Sequence, residues 1–220
     1  MRSTSRTGLS LLELMVTVAI LAVIIASIYE VLVISTQAVN TGTSKAKMED
    51  DARRIIERIA NECRAAILTT MDGDPDTAGI QSLASPSGSS SLTFQPSAGT
   101  NGSGGLVNGS ARTIRWVVDP GEIAGDGIDN DFDGLIDEGT ITFEDAGPPY
   151  TSTLGYNIAL MSEGETANGA DDNGDGFVDE KGLFFVLSGN QLTISVTVQA
   201  VNHNHELIQA TIETTVKIMN

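Results

Sequence analysis

The chain is short of the groups that small exported domains use to hold themselves together. It has one cysteine, Cys63, among 220 residues, so no internal disulfide can form, and a small fold outside the cytosol needs another staple. Basic residues are scarce too: 12 Lys and Arg stand against 29 Asp and Glu, for a formal charge of -17. Phosphate-backbone binding runs on a Lys/Arg surplus, so this balance argues against a nucleic-acid partner. No nucleophile–base pair or phosphate-cradling loop occurs along the chain, and no enzymatic activity is expected. His203 and His205, with Glu206 beside them, have zinc-ligand chemistry but no further ligand in sequence, and read as a polar turn.

What the chain does have begins at its amino terminus. Arg2 and Arg6 precede an apolar run that starts at Leu9 and continues to Ile34, with Glu13 the acid near its start. About 20 helical residues at roughly 1.5 Å each cross a bilayer core, and residues 9–28 supply that length. The next bases, Lys45 and Lys47, lie beyond the run, so the positive-inside bias places the amino terminus in the cytoplasm and the remainder across the inner membrane in a single pass. A cleaved secretory signal needs an apolar region of about 7 to 15 residues and an A-x-A-like site. Here the run is longer, and Ala22, Ala26 and Ser27 do not form that pattern. An acid within such a segment is costly in lipid and marks a functional site with a partner.

The order Gly8, Leu9, Ser10, Leu11, Leu12, Glu13, Leu14 resembles the leader of type IV prepilins and type II secretion pseudopilins. The resemblance implies that prepilin peptidase cuts between Gly8 and Leu9, that Leu9 becomes the N-methylated first residue, and that Glu13 is the fifth mature residue. It further implies that Glu13 pairs with the amino terminus of a neighbouring subunit during assembly with other pilins or pseudopilins. Leu9 departs from the phenylalanine usual at that position. The physics agrees: cleavage leaves an α-amino cation four residues from Glu13, at a helix end whose dipole favours an anion.

Residues 1–8 are thus a leader, 9–35 the transmembrane half of an amino-terminal helix, and 36–68 its amphipathic half. Met48, Ala52, Ile55, Ile56, Ile59, Ala60, Cys63 and Ile67 recur at helical spacing and need a sheet to cover them. Gly42, after Asn40 and Thr41, predicts a bend or loosened turn, because glycine costs about 1 kcal/mol in a helix interior. Residues 69–112 form a loop-rich connection with short strands over 80–84 and 92–95. Residues 113–220 alternate as strands over 113–119, 140–144, 156–161, 183–187 and 192–198, with a last strand reaching 218 and a turn at 202–205. The expected class is α+β, a long helix packed on an antiparallel sheet, pilin-like. The last hairpin looks like that of J-type minor pseudopilins and W-type minor pilins.

Between those strands an acidic pattern occurs twice without a gap, at 126–138 and 168–180. Each copy holds D-x-[DN]-x-D-G, then two apolar residues, then Asp-Glu. Calcium, a hard cation, takes six to eight oxygens at about 2.3 to 2.6 Å, and short acids alternating on a glycine turn all point inward. The first copy offers Asp129, Asp131 and Asp133 as side-chain ligands and Leu135 as a carbonyl ligand. The second offers Asp171, Asn173, Asp175 and Phe177. Thr140 and Gly182 stand where an EF-hand has its bidentate glutamate, so Asp137 or Glu138, and Asp179 or Glu180, must replace it. Two calcium sites are expected, each clipping the tip of a β-hairpin in place of a disulfide. A solvated acidic turn is the alternative, but uncompensated acids a few ångströms apart repel by about 1 kcal/mol per pair even in water.

The expected function is a minor pilin or pseudopilin: a structural subunit of a type IV pilus or type II secretion pseudopilus, with a calcium-stabilised head in the periplasm or outside the cell. Strong acidity, elaborated loops and the missing carboxy-terminal disulfide favour a minor over a major subunit. The alternative is a membrane-anchored calcium-dependent adhesin that never polymerises.

Overall fold

The computed structural model describes residues 11–72, 83, 88–147, 149–202 and 204–218. Helix α1 spans Leu11–Cys63 without interruption, and the chain divides into two compact units, Met1–Thr43 and Ser44–Asn220. The cleavage position Gly8–Leu9, most of the strand expected over 80–84, and His203 lie outside the described residues.

In the first unit every residue from Leu11 to Val39 is exposed. A helix apolar on all sides cannot be sheathed by water, and this one is long and apolar enough to cross a membrane. Several of its hydroxyls bond within the helix: Thr17 donates to the carbonyl of Glu13 and Ser27 to that of Val23, both at 3.0 Å. The loosened turn expected at Asn40–Gly42 is absent, since α1 stays helical through it. One glycine weakens a helix only slightly when bonded turns flank it on both sides, and Thr43 adds a bond to the Asn40 carbonyl at 2.9 Å.

In the second unit Met48, Ala52, Ile55, Ile56, Ile59, Ala60 and Cys63 form the buried stripe of α1. The helix stops at Cys63 and not at 68, because the backbone of the next residues pairs elsewhere. Ile67 N–H donates to the Gln95 carbonyl at 3.0 Å and Ser97 N–H to that of Ala65 at 2.9 Å. Ile67 is buried, off the helix. Burial and the neighbouring Glu62 push the Cys63 thiol up, so it packs as a small apolar group.

The strands are β1 Ser91–Phe94, β2 Ser97–Thr100, β3 Leu106–Asn108, β4 Arg112–Val118, β5 Gly139–Asp145, β6 Tyr150–Ile158, β7 Leu183–Ser188, β8 Gln191–Val201 and β9 Leu207–Lys217. The main antiparallel sheet runs β1-β4-β5-β6-β8-β7, with β9 also on β8, and β2 and β3 form a small separate ribbon. One edge of β8 is paired with β9 from Gln191 to Val201. Its other edge is shared in tandem, first by β7 and then by β6 at the single pair Ile158–Val198. The architecture is therefore the expected α+β one, a long helix against a curled antiparallel sheet. Ile55 of α1 lies so close to β6 that a Cβ on Gly155 would come within 2.7 Å of it, which leaves no room there for any side chain.

Leu192, Ile194, Val196 and Val198 of β8 face the helix side and join the core. The opposite face carries Ser195, Thr197 and Gln199, which are also buried. Gln199 Nε2 donates to the Ile136 carbonyl of the first acidic loop at 3.0 Å, and Phe177 of the second loop packs edge-on against Phe184 of β7 with ring centroids 5.4 Å apart. Each acidic loop thus contributes a contact to that face.

Candidate metal centres and assembly segment

Loop 1 joins β4 to β5, which pair from Arg112–Asp145 to Val118–Gly139, so it does sit at a hairpin tip. Loop 2 does not. It links β6 to β7, which both pair with the same edge of β8 and not with each other. Its base is closed by the isolated bridge Met161–Lys181. The expectation of two hairpin tips fails for loop 2 because both copies are local modules that need a closed base and not a particular pairing above it.

The modules share one backbone plan. Gly134 and Gly176, the turn glycines of the motif, have φ of 95° and 97°, and Asp137 and Asp179 have φ of 52° and 54°. Asp137 accepts the amides of Gly125, Asp126 and Gly127 at 2.6, 3.2 and 3.0 Å. Asp179 likewise accepts those of Asn168 and Gly169, both at 2.9 Å. A carboxylate gripping successive amides holds the loop entrance against its exit.

One further acid completes each module, and the gapless repeat did not reveal either. Glu122 accepts the amides of Asn130, Asp131 and Asp137 at 2.7, 3.1 and 3.3 Å. Glu165 accepts those of Asp172, Asn173 and Asp179 at 2.9, 2.8 and 3.2 Å. Each is anchored by a turn onto the residue three before it, Glu122 N–H to Asp119 and Glu165 N–H to Ser162. The spacing from this glutamate to the motif is one residue shorter in loop 2, so a strict register misses the correspondence. A glutamate six or seven residues ahead of each D-x-[DN]-x-D-G is the signal that was there to find.

The expected ligand residues gather as follows. Asp129 accepts the Phe132 and Gly134 amides at 2.7 and 2.9 Å. Asp131 and Asp133 each accept one amide, from Asp133 and Leu135. Leu135 itself is buried. Oxygens of Glu122, Asp129 and Asp131 lie within 4.8 Å of one another, as do those of Asp131, Asp133 and Glu138. In loop 2, Asp171 accepts the Gly174, Asp175 and Gly176 amides, Asn173 that of Asp175, and Asp175 that of Phe177. Asp172 is held low by bonds from Thr166 and Asn168, which turn it away from the role of its neighbours.

Of the paired candidates at each motif's end, the aspartates are spent on amides and the glutamates are not. Glu138 and Glu180 are 1% and 2% exposed, and neither oxygen of either has a hydrogen-bond partner among the described residues. Burial first, then Asp133, Glu122 and Asp131, push Glu138 up to about 7. Burial, then Asp175, Glu165 and Asp171, push Glu180 up to about 7. Asp119, at the base of loop 1, is also raised, by burial and by Asp131, Asp133 and Glu122. Buried carboxylates without donors, facing other carboxylates, are the electrostatics that a cation resolves.

The twin loops also identify a strained residue. Phe132 has φ of 67° and is 90% exposed, while its equivalent Gly174 has φ of 79°. The left-handed region costs a side-chain-bearing residue about 1 to 2 kcal/mol, partly offset by the chain entropy glycine loses on folding. Phe132→Gly is therefore expected to stabilise the protein by about 1 kcal/mol, raising the melting temperature by roughly 2 to 4 °C. Circular dichroism melts of the full chain in detergent micelles measure this, and a lower melting temperature contradicts it.

In the amino-terminal segment, Glu13 lies in the first turn of α1 and is the one charged residue between Leu11 and Tyr29. No curated protein and no solved structure matches the chain. Residues 4–29 match the prokaryotic N-terminal methylation motif, a stretch that includes Gly8, Leu9 and Glu13. That match is consistent with the type IV prepilin and pseudopilin family and supports a pilus or secretion-pseudopilus type of subunit.

Proposed function

We propose that this chain is a minor structural subunit of a type IV pilus or type II secretion pseudopilus, with no enzymatic role. It is inserted in the inner membrane with its amino terminus cytoplasmic, cut after Gly8 by prepilin peptidase, methylated on Leu9, and stacked with other subunits through its apolar helix. The observation that carries this reading is the methylation motif over residues 4–29 leading into a helix exposed on every side, with Glu13 its lone early charge. Lipid or other helices must cover that surface, and the buried acid must find a cation.

The head carries two calcium ions in this reading, one in each acidic loop. The donor set is all oxygen, which suits a hard cation, and the unpartnered Glu138 and Glu180 have the charge such an ion needs. An affinity of about 0.1 to 1 mM, ordinary for extracellular modules, fills the loops outside the cytosol and leaves them empty within it.

Intact mass spectrometry of the chain from cells that make prepilin peptidase tests the processing. The expected mature chain starts at Leu9 and carries one added methyl group. Retention of Met1 to Gly8 removes the filament reading and favours the anchored calcium-dependent adhesin.

A further inference from the structure

We infer that the two loops are unequal cation seats, each closed by its buried glutamate, and that loop 1 fills before loop 2. This deepens the calcium reading and rests on it. A cation competes best for oxygens that no amide already holds. In loop 1 those are the second oxygens of Asp131 and Asp133 and both oxygens of Glu138, since the recorded bonds reach only Oδ1 of each aspartate. In loop 2 they are the second oxygen of Asp175 and both oxygens of Glu180. Asn173 stands in the place of Asp131, and its one carbonyl oxygen already takes the Asp175 amide at 2.9 Å.

Loop 1 therefore offers one more free carboxylate oxygen and one more negative charge. Among the described residues, the acidic triads with oxygens within 4.8 Å of one another are both in loop 1, and both turn on Asp131, where loop 2 has Asn173. Ligand charge is a quantity that tunes calcium affinity. Glu122, Glu165, Asp137 and Asp179 have both oxygens engaged by amides. They are the frame, and Glu138 and Glu180 close the seats. Because loop 1 holds Gln199 through the Ile136 carbonyl, the first ion fixes the cover over β8 and the second fixes the β6–β7 crossover.

Isothermal titration of the chelator-treated full chain in detergent micelles with calcium chloride tests this. The wild type is expected to bind two ions in separate steps. Glu138→Gln removes or weakens the tighter step by on the order of tenfold or more, and Glu180→Gln does the same to the weaker one. Asn173→Asp tightens the weaker step by on the order of tenfold, merging the two. Melting curves without calcium establish that each variant is folded. Two equal steps, or loss of the weaker step in Glu138→Gln, overturn the inference while leaving calcium binding intact. Equilibrium dialysis that finds no bound calcium in the wild type overturns the calcium reading with it.

Discussion

Replacing Glu138 by glutamine is expected to raise the melting temperature in EGTA and to remove half or more of the stabilisation that calcium gives. At pH 8 the side chain lies above its raised value of about 7, so the calcium-free fold carries an ionised carboxylate that is 1% exposed and has no donor. Each unit of displacement corresponds to about 1.4 kcal/mol, which puts the cost on the order of 3 kcal/mol. Glutamine removes the charge but leaves a buried amide to satisfy, at about 1 to 3 kcal/mol. The net gain without calcium is up to about 2 kcal/mol.

With about 10 mM calcium and dissociation constants of roughly 0.1 to 1 mM, mass action adds about 1.4 to 2.7 kcal/mol per filled site. Two sites raise the wild-type melting temperature by roughly 10 °C, and Glu138→Gln retains about half of that rise or less. The two substitution effects have opposite signs, which separates a cation seat from an ordinary buried acid. A variant less stable than wild type in EGTA, with an unchanged response to calcium, sinks the assignment of Glu138. A wild type whose melting is the same in EGTA and in calcium sinks the site.

Features fixed over a few residues were legible before any coordinates. The apolar stripe of α1 follows from helical spacing alone, and the residues from Met48 to Cys63 that share it are all buried. The glycines at the motif turns do adopt the left-handed conformation that only glycine takes freely. What was not legible depended on partners distant in sequence. The helix end at Cys63 is set by Gln95 and Ser97 reaching the residues beyond it, which no local propensity encodes. Strand β6 begins at Tyr150 and ends at Ile158, where the alternation placed a strand over 156–161. Its early half is ordered by its pairing with β5 from Asp145 to Gly139. Glu122 and Glu165 escaped because one residue of slippage hides them from a register that the rest of the repeat keeps.

Glu13→Leu is expected to leave insertion and cleavage intact while cutting incorporation into filaments by more than tenfold. Leucine makes the segment more apolar, and the cut at Gly8 lies outside the changed position, so the membrane pool is maintained. What is lost is the force that sets register between subunits. Helices sheathed in Leu, Ile and Val gain little by leaving lipid for one another, because lipid tails are as apolar as they are. Among the described residues, no side chain donates to the Glu13 carboxylate, and its turn is otherwise occupied by Thr17 bonding to backbone carbonyls. The carboxylate is therefore available to a cation on another chain, and the amino group that cleavage creates on Leu9 is the one that the filament reading supplies. A charge pair of this kind in a low-dielectric setting, contributing about 2 to 3 kcal/mol, corresponds to roughly 30- to 150-fold in assembly equilibrium. Quantifying the chain in sheared filaments against the membrane fraction measures it. Equal partitioning of Glu13→Leu and wild type rules out the pairing; an intermediate value for Glu13→Gln, which keeps a hydrogen-bond acceptor without the charge, is the graded result that electrostatic registration requires.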